Sequence, residues 1–208
     1  MRLFVLGATG KTGQAVVAQG LARGHAITAF GRSALRGDTT ETFHVVVGSP
    51  MRADDLATAL PGHDAVLSAL GTRGLGATSV LVDSARASIE AMHRAQVRRL
   101  VVISSSLVDP QSGWLSRALA RTLLRHTASD QRAMEKLVTQ SDLDWTVLRP
   151  ARIGDGVLTA QYVASAASAG IPASGAGMSR EELAHMMLET VERSAHVREI
   201  VWLRGARA

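Results

Sequence analysis

Short apolar runs of strand length alternate along the chain with longer amphipathic segments. Arg2–Leu6 is the first such run, and Gln14–Arg23 then carries apolar residues at helical spacing until Gly24 ends it. The alternation predicts further strands and helices. The strands are Ala26–Phe30, Phe43–Val47, Asp64–Leu70, Arg99–Ser104, Asp144–Leu148 and Glu199–Leu203, and the helices are Arg52–Leu60, Thr78–Ala95 and Leu115–Gln140 with a break near Thr127–Ser129. This order predicts one α/β domain with a doubly wound parallel sheet.

The texture of the chain changes after Pro150, which we expect to end the strand before it. Ala151–Gly177 is rich in Gly, Ala and Ser and lacks clean periodicity. A capping box of Ser179 and Glu182 then predicts a last helix. We interpret residues 1–208 as a single domain, in which a loop region at about 150–178 forms the pocket for a second ligand.

Composition narrows the function. The 208 residues include no cysteine, which excludes disulfide scaffolds, thiolate metal sites and a cysteine nucleophile. No stretch approaches the roughly 18 apolar residues of a membrane span, so we expect a soluble, cytoplasmic protein without a membrane partner. The net charge is +5, yet aromatic residues make up 3%, so nucleic-acid binding is not favoured. The seven histidines lack metal-ligand spacing, and no metal site is expected.

A glycine-rich turn follows the first predicted strand, with Gly7, Gly10 and Gly13 at G-x-x-G-x-x-G spacing. Gly7 allows a tight turn, Gly10 lets a phosphate approach the backbone, and Gly13 lets the helix pack closely on the strand. Together with the residues between them, these glycines are expected to bind a dinucleotide pyrophosphate in a Rossmann-type fold. The intervening residues in this prediction are Thr9, Lys11 and Thr12.

The end of the second predicted strand indicates which nicotinamide cofactor binds. An NAD site has an acidic residue here to bind the ribose hydroxyls, but the chain has no carboxylate before Asp38. Arg32 and Arg36 stand there instead, and a guanidinium binds a phosphate through two parallel hydrogen bonds. The sequence therefore predicts NADPH, although two solvated loop arginines would give the same pattern.

Several motifs, in order along nearly the whole chain, resemble the biliverdin-IXβ reductase family. These atypical short-chain dehydrogenase/reductases, also called NADPH-dependent flavin reductases, belong to the NmrA-like NAD(P)-binding proteins. The matching segments are Gly7–Gly13, Arg32 with Arg36, His44–Gly48, Leu70–Arg73 and Ile153–Asp155. At two positions the chain departs from the family. Ser49 stands where members usually carry an Asp near the adenine, and Arg152 stands where the animal enzyme has a substrate-pocket histidine.

The resemblance implies roles for further residues. Leu70, Gly71, Thr72 and Arg73 would lie against the cofactor, as would Ser49, Ser104, Ser105 and Ile153. Ser106 and Arg152 are the candidate catalytic residues, the first to orient the nicotinamide or acceptor and the second to line the acceptor pocket. A cation such as Arg152 can bind a carboxylate or a flavin phosphate, but it is a poor proton donor.

The chemistry expected is hydride transfer without a protein acid. The single tyrosine, Tyr162, is followed four residues later by Ala166, so the Tyr-x-x-x-Lys pair of carbonyl-reducing relatives is absent. A free flavin, bound as substrate rather than as a tight cofactor, tolerates this absence because it needs only positioning beside NADPH. A quinone or biliverdin-type acceptor, or a non-catalytic NADP(H) sensor, remains an alternative. Apart from a small-molecule acceptor, no partner is predicted, and the oligomeric state stays open, a monomer included.

Overall fold

The seven predicted strands and one further strand form an eight-stranded sheet in the computed structural model, which describes residues 1–33, 39–72, 74, 76–109, 118, 122, 124–166 and 176–206. The strands of this sheet are β1 (Arg2–Leu6), β2 (Ala26–Gly31), β3 (Phe43–Val47), β4 (Ala65–Ser68), β5 (Arg99–Ile103), β6 (Asp144–Pro150), β8 (Tyr162–Ser165) and β10 (Glu199–Gly205). Two short strands, β7 (Ile153–Gly154) and β9 (Met178–Ser179), pair with each other. The helices are α1 (Lys11–Ala22), α2 (Ala53–Ala59), α3 (Val80–Ala95), α4 (Arg125–Gln140) and α5 (Arg180–Glu192), with a 3₁₀ turn at Ser106–Val108.

The strand order shows the doubly wound topology that the sequence predicted. The order is β3-β2-β1-β4-β5-β6-β10-β8, and every pair is parallel except β10 with β8. Because the order reverses between β1 and β4, the connections leave these two strands in opposite directions and open a crevice at their carboxyl ends. This crevice is the expected place for a ligand.

Helices cover both faces of the sheet, and β1 shows how the sequence divides between them. Leu3 and Val5 pack into the core under α1 and α5, whereas Phe4 and Leu6 pack into the core under α2, α3 and α4. Alternate residues of a strand point to opposite faces, so a strand buried on both sides is apolar throughout. On the α1 side, Gly20 lies directly against Ile27 and Leu188, which brings α1 close to α5.

The end of α1 and the start of α5 are where the sequence predicted them. Gly24, with φ +80°, closes α1 and donates its N–H to the Leu21 carbonyl at 2.9 Å. At the start of α5, Ser179 Oγ accepts the Glu182 N–H at 3.0 Å, and the Glu182 carboxylate accepts the Ser179 N–H at 2.8 Å. The predicted capping box is therefore present.

The predicted break near Thr127–Ser129 is wrong, because α4 is continuous there. Asp130, one residue further on, accepts the backbone N–H groups of Leu81 at 3.0 Å and Val82 at 2.9 Å at the start of α3. This buried carboxylate satisfies the open donors of another helix, so the segment is fixed by a tertiary contact. Most of the predicted helix before residue 124 lies outside the described residues.

The strand expected to end before Pro150 runs through it instead. Pro150 is in register with Leu203 of β10, and the Ala151 N–H donates to the Leu203 carbonyl at 2.8 Å. A proline is tolerated at the last position of a strand because its missing N–H is not needed there. The aperiodic stretch after it contains β7 and β8, which the sequence did not predict. No helix in the described part of the chain is long and apolar enough to cross a membrane.

Candidate functional site

The turn between β1 and α1 is packed so tightly that side chains are excluded at two of its glycines. Gly7 has a φ of +76°, and a Cβ on it would lie 2.7 Å from the carbonyl oxygen of Ala69. A Cβ on Gly13 would lie 2.2 Å from the carbonyl oxygen of Gly7. The glycine spacing noted in the sequence thus seats the first turn of α1 directly on the end of β1.

The start of α1 offers its backbone donors to the crevice. Gly10 is the N-cap residue, no side chain caps the helix, and its first turn holds no acidic residue. The first N–H groups of a helix lack internal partners, and the helix dipole places partial positive charge there. The starts of α3 and α5 differ, since Asp130 and the capping box satisfy them. The start of α1 is therefore suited to bind an anion.

A cleft of about 520 Å³ opens at this turn, at the carboxyl ends of β1, β2 and β4. Six of the residues that were predicted to bind the cofactor line this cleft, and Arg32 is one of them. The lining residues are Gly7, Thr9, Gly10, Phe30, Gly31, Arg32, Pro50, Ala69, Leu70 and Gly71. The structure therefore brings the glycine turn, the end of β2 and the segment after β4 into one site.

Arg32 places a positive charge at the β2 wall of this cleft. Its side chain is exposed and makes no ion pair with the residues that the structure describes. Arg36, the second arginine of the prediction, lies outside the described residues. An unpaired guanidinium here can bind a phosphate group that reaches the end of β2.

A carboxylate stands near Ser49, although the sequence shows none directly after β3. Asp55 in the first turn of α2 accepts the Ser49 N–H at 2.9 Å, and Arg52 Nε lies 3.5 Å from its other oxygen. Sequence analysis did not single out Asp55. The sequence feature that could have indicated Asp55 is an acidic residue in the first turn of a helix that begins just after a strand of the site.

The segment after β4 crosses from the cleft to α4. Leu70 lines the cleft and packs against the core, and Gly71 has open space around its Cα. Thr72 Oγ1 lies 3.3 Å from Thr127 Oγ1 at the start of α4. Arg73, also predicted to contact the cofactor, lies outside the described residues.

The three serines after β5 have different surroundings. Ser105 Oγ accepts the Leu107 N–H at 3.2 Å and caps the 3₁₀ turn, and Ser106 Oγ donates to the Ala151 carbonyl at 3.4 Å. Ser104 is 3% exposed, and its hydroxyl has no hydrogen-bond partner in the described part of the chain. Such an orphaned buried hydroxyl is a candidate to bind a polar ligand group. None of the three lines the cleft at the glycine turn.

The loop after β6 carries Arg152 and Ile153. Ile153 pairs with Met178 in the small β7–β9 sheet and packs against the core. The Arg152 side chain is exposed, and its Nε would lie 3.2 Å from a Cβ on Gly177. Ser106 donates a hydrogen bond to the carbonyl of Ala151, the residue before Arg152. The structure thus brings the two candidate catalytic residues, Ser106 and Arg152, to the same loop.

Lys11 contacts this loop rather than standing free at the turn. Its Nζ lies 3.2 Å from Asp155 Oδ2, and Arg180 at the start of α5 binds the other carboxylate oxygen. The hydrogen bond from Lys11, with the Arg180 charge, holds the pKa of Asp155 below its usual value. Thr12, the next residue of α1, is half-buried. The ion cluster ties the loop after β7 to the beginnings of both helices.

Tyr162 lies on β8, the strand at the far edge of the sheet, with β5, β6 and β10 between it and β4. Its hydroxyl is 3.0 Å from His185 Nδ1. Burial raises the pKa of Tyr162 and lowers the pKa of His185. That Tyr162 takes no part in proton transfer stays a prediction.

A buried ionic cluster below the loop was missed by the sequence analysis. Arg149 binds Glu135 through two parallel hydrogen bonds of 2.9 and 2.6 Å, and its guanidinium lies 4.9 Å from the centre of the Trp202 ring. Trp202 Nε1 donates to Asp109 at 2.8 Å. These contacts join β6, β10, α4 and the segment after β5 at the carboxyl edge of the sheet.

The close approach of Gly13 to Gly7 gives a direct test of the turn. We expect Gly13→Ala to lower the free energy of unfolding by about 1–3 kcal/mol, because the added methyl group meets backbone atoms that cannot move aside. Gly76→Ala is the matched control, since a Cβ there meets nothing within 4 Å. Urea unfolding measures both, and equal stabilities of the two variants would show that the turn relaxes freely.

Comparison with known proteins agrees with this geometry. Residues 7–194 match a family model described as NAD(P)H-binding. A short-chain dehydrogenase/reductase from Veillonella parvula DSM 2008, solved in complex with NADP, has a TM-score of 0.82 at 17% identity over 98% of this chain and 94% of that chain.

Two further structures have the same fold. ChuY, an anaerobillin reductase from Escherichia coli O157:H7, has a TM-score of 0.79 at 18% identity over 100% of this chain and 98% of that chain. SP1627, a candidate NADH-flavin reductase from Streptococcus pneumoniae TIGR4, has a TM-score of 0.75 at 22% identity over 99% of this chain and 100% of that chain.

Proposed function

From the premise that this chain belongs to the NAD(P)H-binding family, we propose that it is an NADPH-dependent reductase that transfers hydride to a free flavin or a similar planar, conjugated acceptor. The observation that carries the proposal is the cleft at the glycine turn, where an uncapped helix start and the Arg32 guanidinium present two separate sites for phosphate groups. Two structural neighbours, a candidate NADH-flavin reductase and an anaerobillin reductase, support the choice of acceptor class.

The residues present fit a dinucleotide with a phosphorylated ribose. Gly7, Thr9, Gly10, Thr12 and Gly13 would hold the pyrophosphate, since Gly7 and Gly13 let the uncapped start of α1 pack directly on the end of β1, beside the cleft. Arg32, with Arg36, would bind the 2′-phosphate. Ser49, Ile153 and the segment Leu70–Arg73 would line the remainder of the cofactor.

The acceptor is proposed to bind over the loop region at about 150–178. When bound, the cofactor supplies a hydride. Ser104, with its unpartnered buried hydroxyl, and Ser105 would orient the nicotinamide by hydrogen bonds. Ser106 would contribute by holding the loop through Ala151, so that the two rings stay face to face. A conjugated acceptor delocalises the added charge, and water can supply any proton.

The test is NADPH oxidation by the purified protein with a panel of acceptors: FMN, riboflavin, a quinone and a linear tetrapyrrole. We expect turnover with the flavins. Reactions without acceptor provide the control for spontaneous oxidation, and calorimetric titration measures NADPH binding on its own. Binding without turnover for every acceptor would contradict the proposal and favour an NADP(H) sensor instead.

Tyr162→Phe is expected to leave NADPH–flavin turnover within a few-fold of the wild-type rate, because Tyr162 lies on the edge strand and its hydroxyl contacts His185. Steady-state kinetics checks this, with thermal unfolding of the same variant to detect any loss of stability. A loss of about a hundredfold or more in kcat, without unfolding, would mean that Tyr162 acts as an acid.

A further inference from the structure

Among the described residues, no carboxylate forms an ion pair with Arg152 in the loop after β6. Asp155 is bound by Lys11 and Arg180, and Glu135 is bound by Arg149. Glu182 accepts hydrogen bonds from Ser179 and Thr159 in the capping box. All of the chain's acidic residues except Asp38 belong to the described part, and none of these forms an ion pair with Arg152.

The backbone around Arg152 is held on both sides. Ser106 Oγ donates to the carbonyl of Ala151 at 3.4 Å, and the Arg152 carbonyl accepts the Met178 N–H at 2.9 Å. These bonds fix the residue beside the carboxyl ends of β5 and β6, where the proposed acceptor would bind. The exposed guanidinium is therefore attached to an anchored segment, and no carboxylate of the described residues neutralises its charge.

Gly177 provides the surface on which this guanidinium lies. A Cβ at position 177 would stand 3.2 Å from Arg152 Nε, closer than side chains normally approach, and in ordinary contact with Nη2 at 3.6 Å. The glycine leaves room for the guanidinium to pack against backbone. The local geometry thus favours one location for the charge.

We propose that Arg152 selects acceptors that carry an anionic group, phosphate or carboxylate, over neutral acceptors with the same ring system. The inference rests on the proposed function and adds the acceptor's charge to it. A guanidinium stays protonated at neutral pH and binds either anion through two hydrogen bonds, so Arg152 acts by charge and geometry. Such a contact lies away from the reacting atoms, so it should lower KM and leave kcat nearly unchanged.

The experiment measures equilibrium binding of flavins to the protein in the presence of NADP⁺, by quenching of flavin fluorescence. Riboflavin is the neutral probe, FMN carries a phosphate, and a flavin with an N10-carboxyalkyl chain carries a carboxylate. We expect one or both anionic flavins to bind roughly three- to tenfold more tightly than riboflavin in low salt. The difference should shrink as salt is raised.

Variants then assign the preference to one residue. Arg152→Gln should remove this preference, so that the anionic flavins bind no more tightly than riboflavin, and Arg152→Lys should retain part of the preference because the charge remains. Arg98→Gln is the matched control, since it removes an exposed charge just before β5, at the amino ends of the strands and away from the proposed acceptor site. Its preference for anionic flavins should equal that of the wild-type protein.

Equal binding of all three flavins to the wild-type protein would overturn the proposal, as would a preference that survives in Arg152→Gln. Because binding is measured without turnover, the result does not depend on whether the flavin is reduced. Binding of anionic flavins through Arg152 without NADPH oxidation would support the inference and contradict the reductase function. Turnover of flavins without a preference for the anionic ones would support the reductase function and contradict the inference.

Discussion

Replacing Arg32 with Asp is expected to weaken NADPH binding roughly ten- to a hundredfold and to leave NADH affinity nearly unchanged. Arg32 forms part of the cleft wall at the end of β2 and has no carboxylate partner among the described residues. A charge-assisted hydrogen bond to phosphate contributes about 1.5–3 kcal/mol, and an aspartate would in addition repel the 2′-phosphate. NADH lacks that phosphate, and its ribose hydroxyls can donate hydrogen bonds to a carboxylate.

Titration calorimetry with both cofactors checks this result. Arg132→Asp is the control, because Arg132 is exposed on α4 and the substitution changes the net charge equally. If the wild-type protein binds NADPH and NADH with equal affinity, or if the control loses as much NADPH affinity as Arg32→Asp, the 2′-phosphate is not bound at the end of β2.

Replacing Glu135 with Leu is expected to lower the free energy of unfolding by about 3–5 kcal/mol. The loss arises because the Arg149 guanidinium would keep its charge while its side chain, 9% exposed, remains buried against Trp202. The double variant Glu135→Leu with Arg149→Met should recover most of that loss, because it removes both charges and fills the space with apolar atoms.

Guanidinium chloride unfolding followed by tryptophan fluorescence and circular dichroism measures these differences. Glu90 with Arg94 on α3 provides an exposed pair for comparison, and Glu90→Gln should cost well under about 1 kcal/mol. A cost for Glu135→Leu that is as small as this would mean that the buried pair is solvated in the folded protein.

The glycine turn could be predicted from sequence because its causes are local. Gly7, Gly10 and Gly13 lie within one short segment, and their spacing follows from the geometry of a strand that turns into a helix. The structure adds one distant contact, since a Cβ on Gly7 would also meet the carbonyl oxygen of Ala69. The capping box at Ser179 and the end of α1 at Gly24 are local in the same sense. Each acts within a few residues, so the spacing alone carries the information.

Other features depend on residues far apart in sequence. Asp130 caps α3 from α4, and an aspartate within a helical pattern gives no sign of the partner that it meets. Glu135 sits on the same helix, where its charge is equally typical of a solvated face. Glu135 can be buried there because Arg149 of β6 pairs with it. The periodicity of a sequence indicates which positions are buried, but it does not indicate which charged side chains pair with each other.

The strand boundaries after residue 148 were wrong for a related reason. Proline is a reliable signal against the interior of a strand, but Pro150 occupies the final position, where β10 can pair with it. The antiparallel strand β8 depends on the same neighbour, since its partner is β10 as well. Neither outcome can be inferred before the sheet order is known.

The packing of α1 against α5 affects how this protein is made on the ribosome. Helix α1 ends at Ala22, whereas α5, whose Leu188 covers Gly20, begins only at Arg180. At about 5–20 residues per second, synthesis of the intervening chain takes on the order of ten seconds or more. During that time the apolar face of α1 is without its partner and open to chaperones. The glycine turn is thus made well before α5, and the helix behind it acquires this packing partner only after the whole intervening chain has been synthesised.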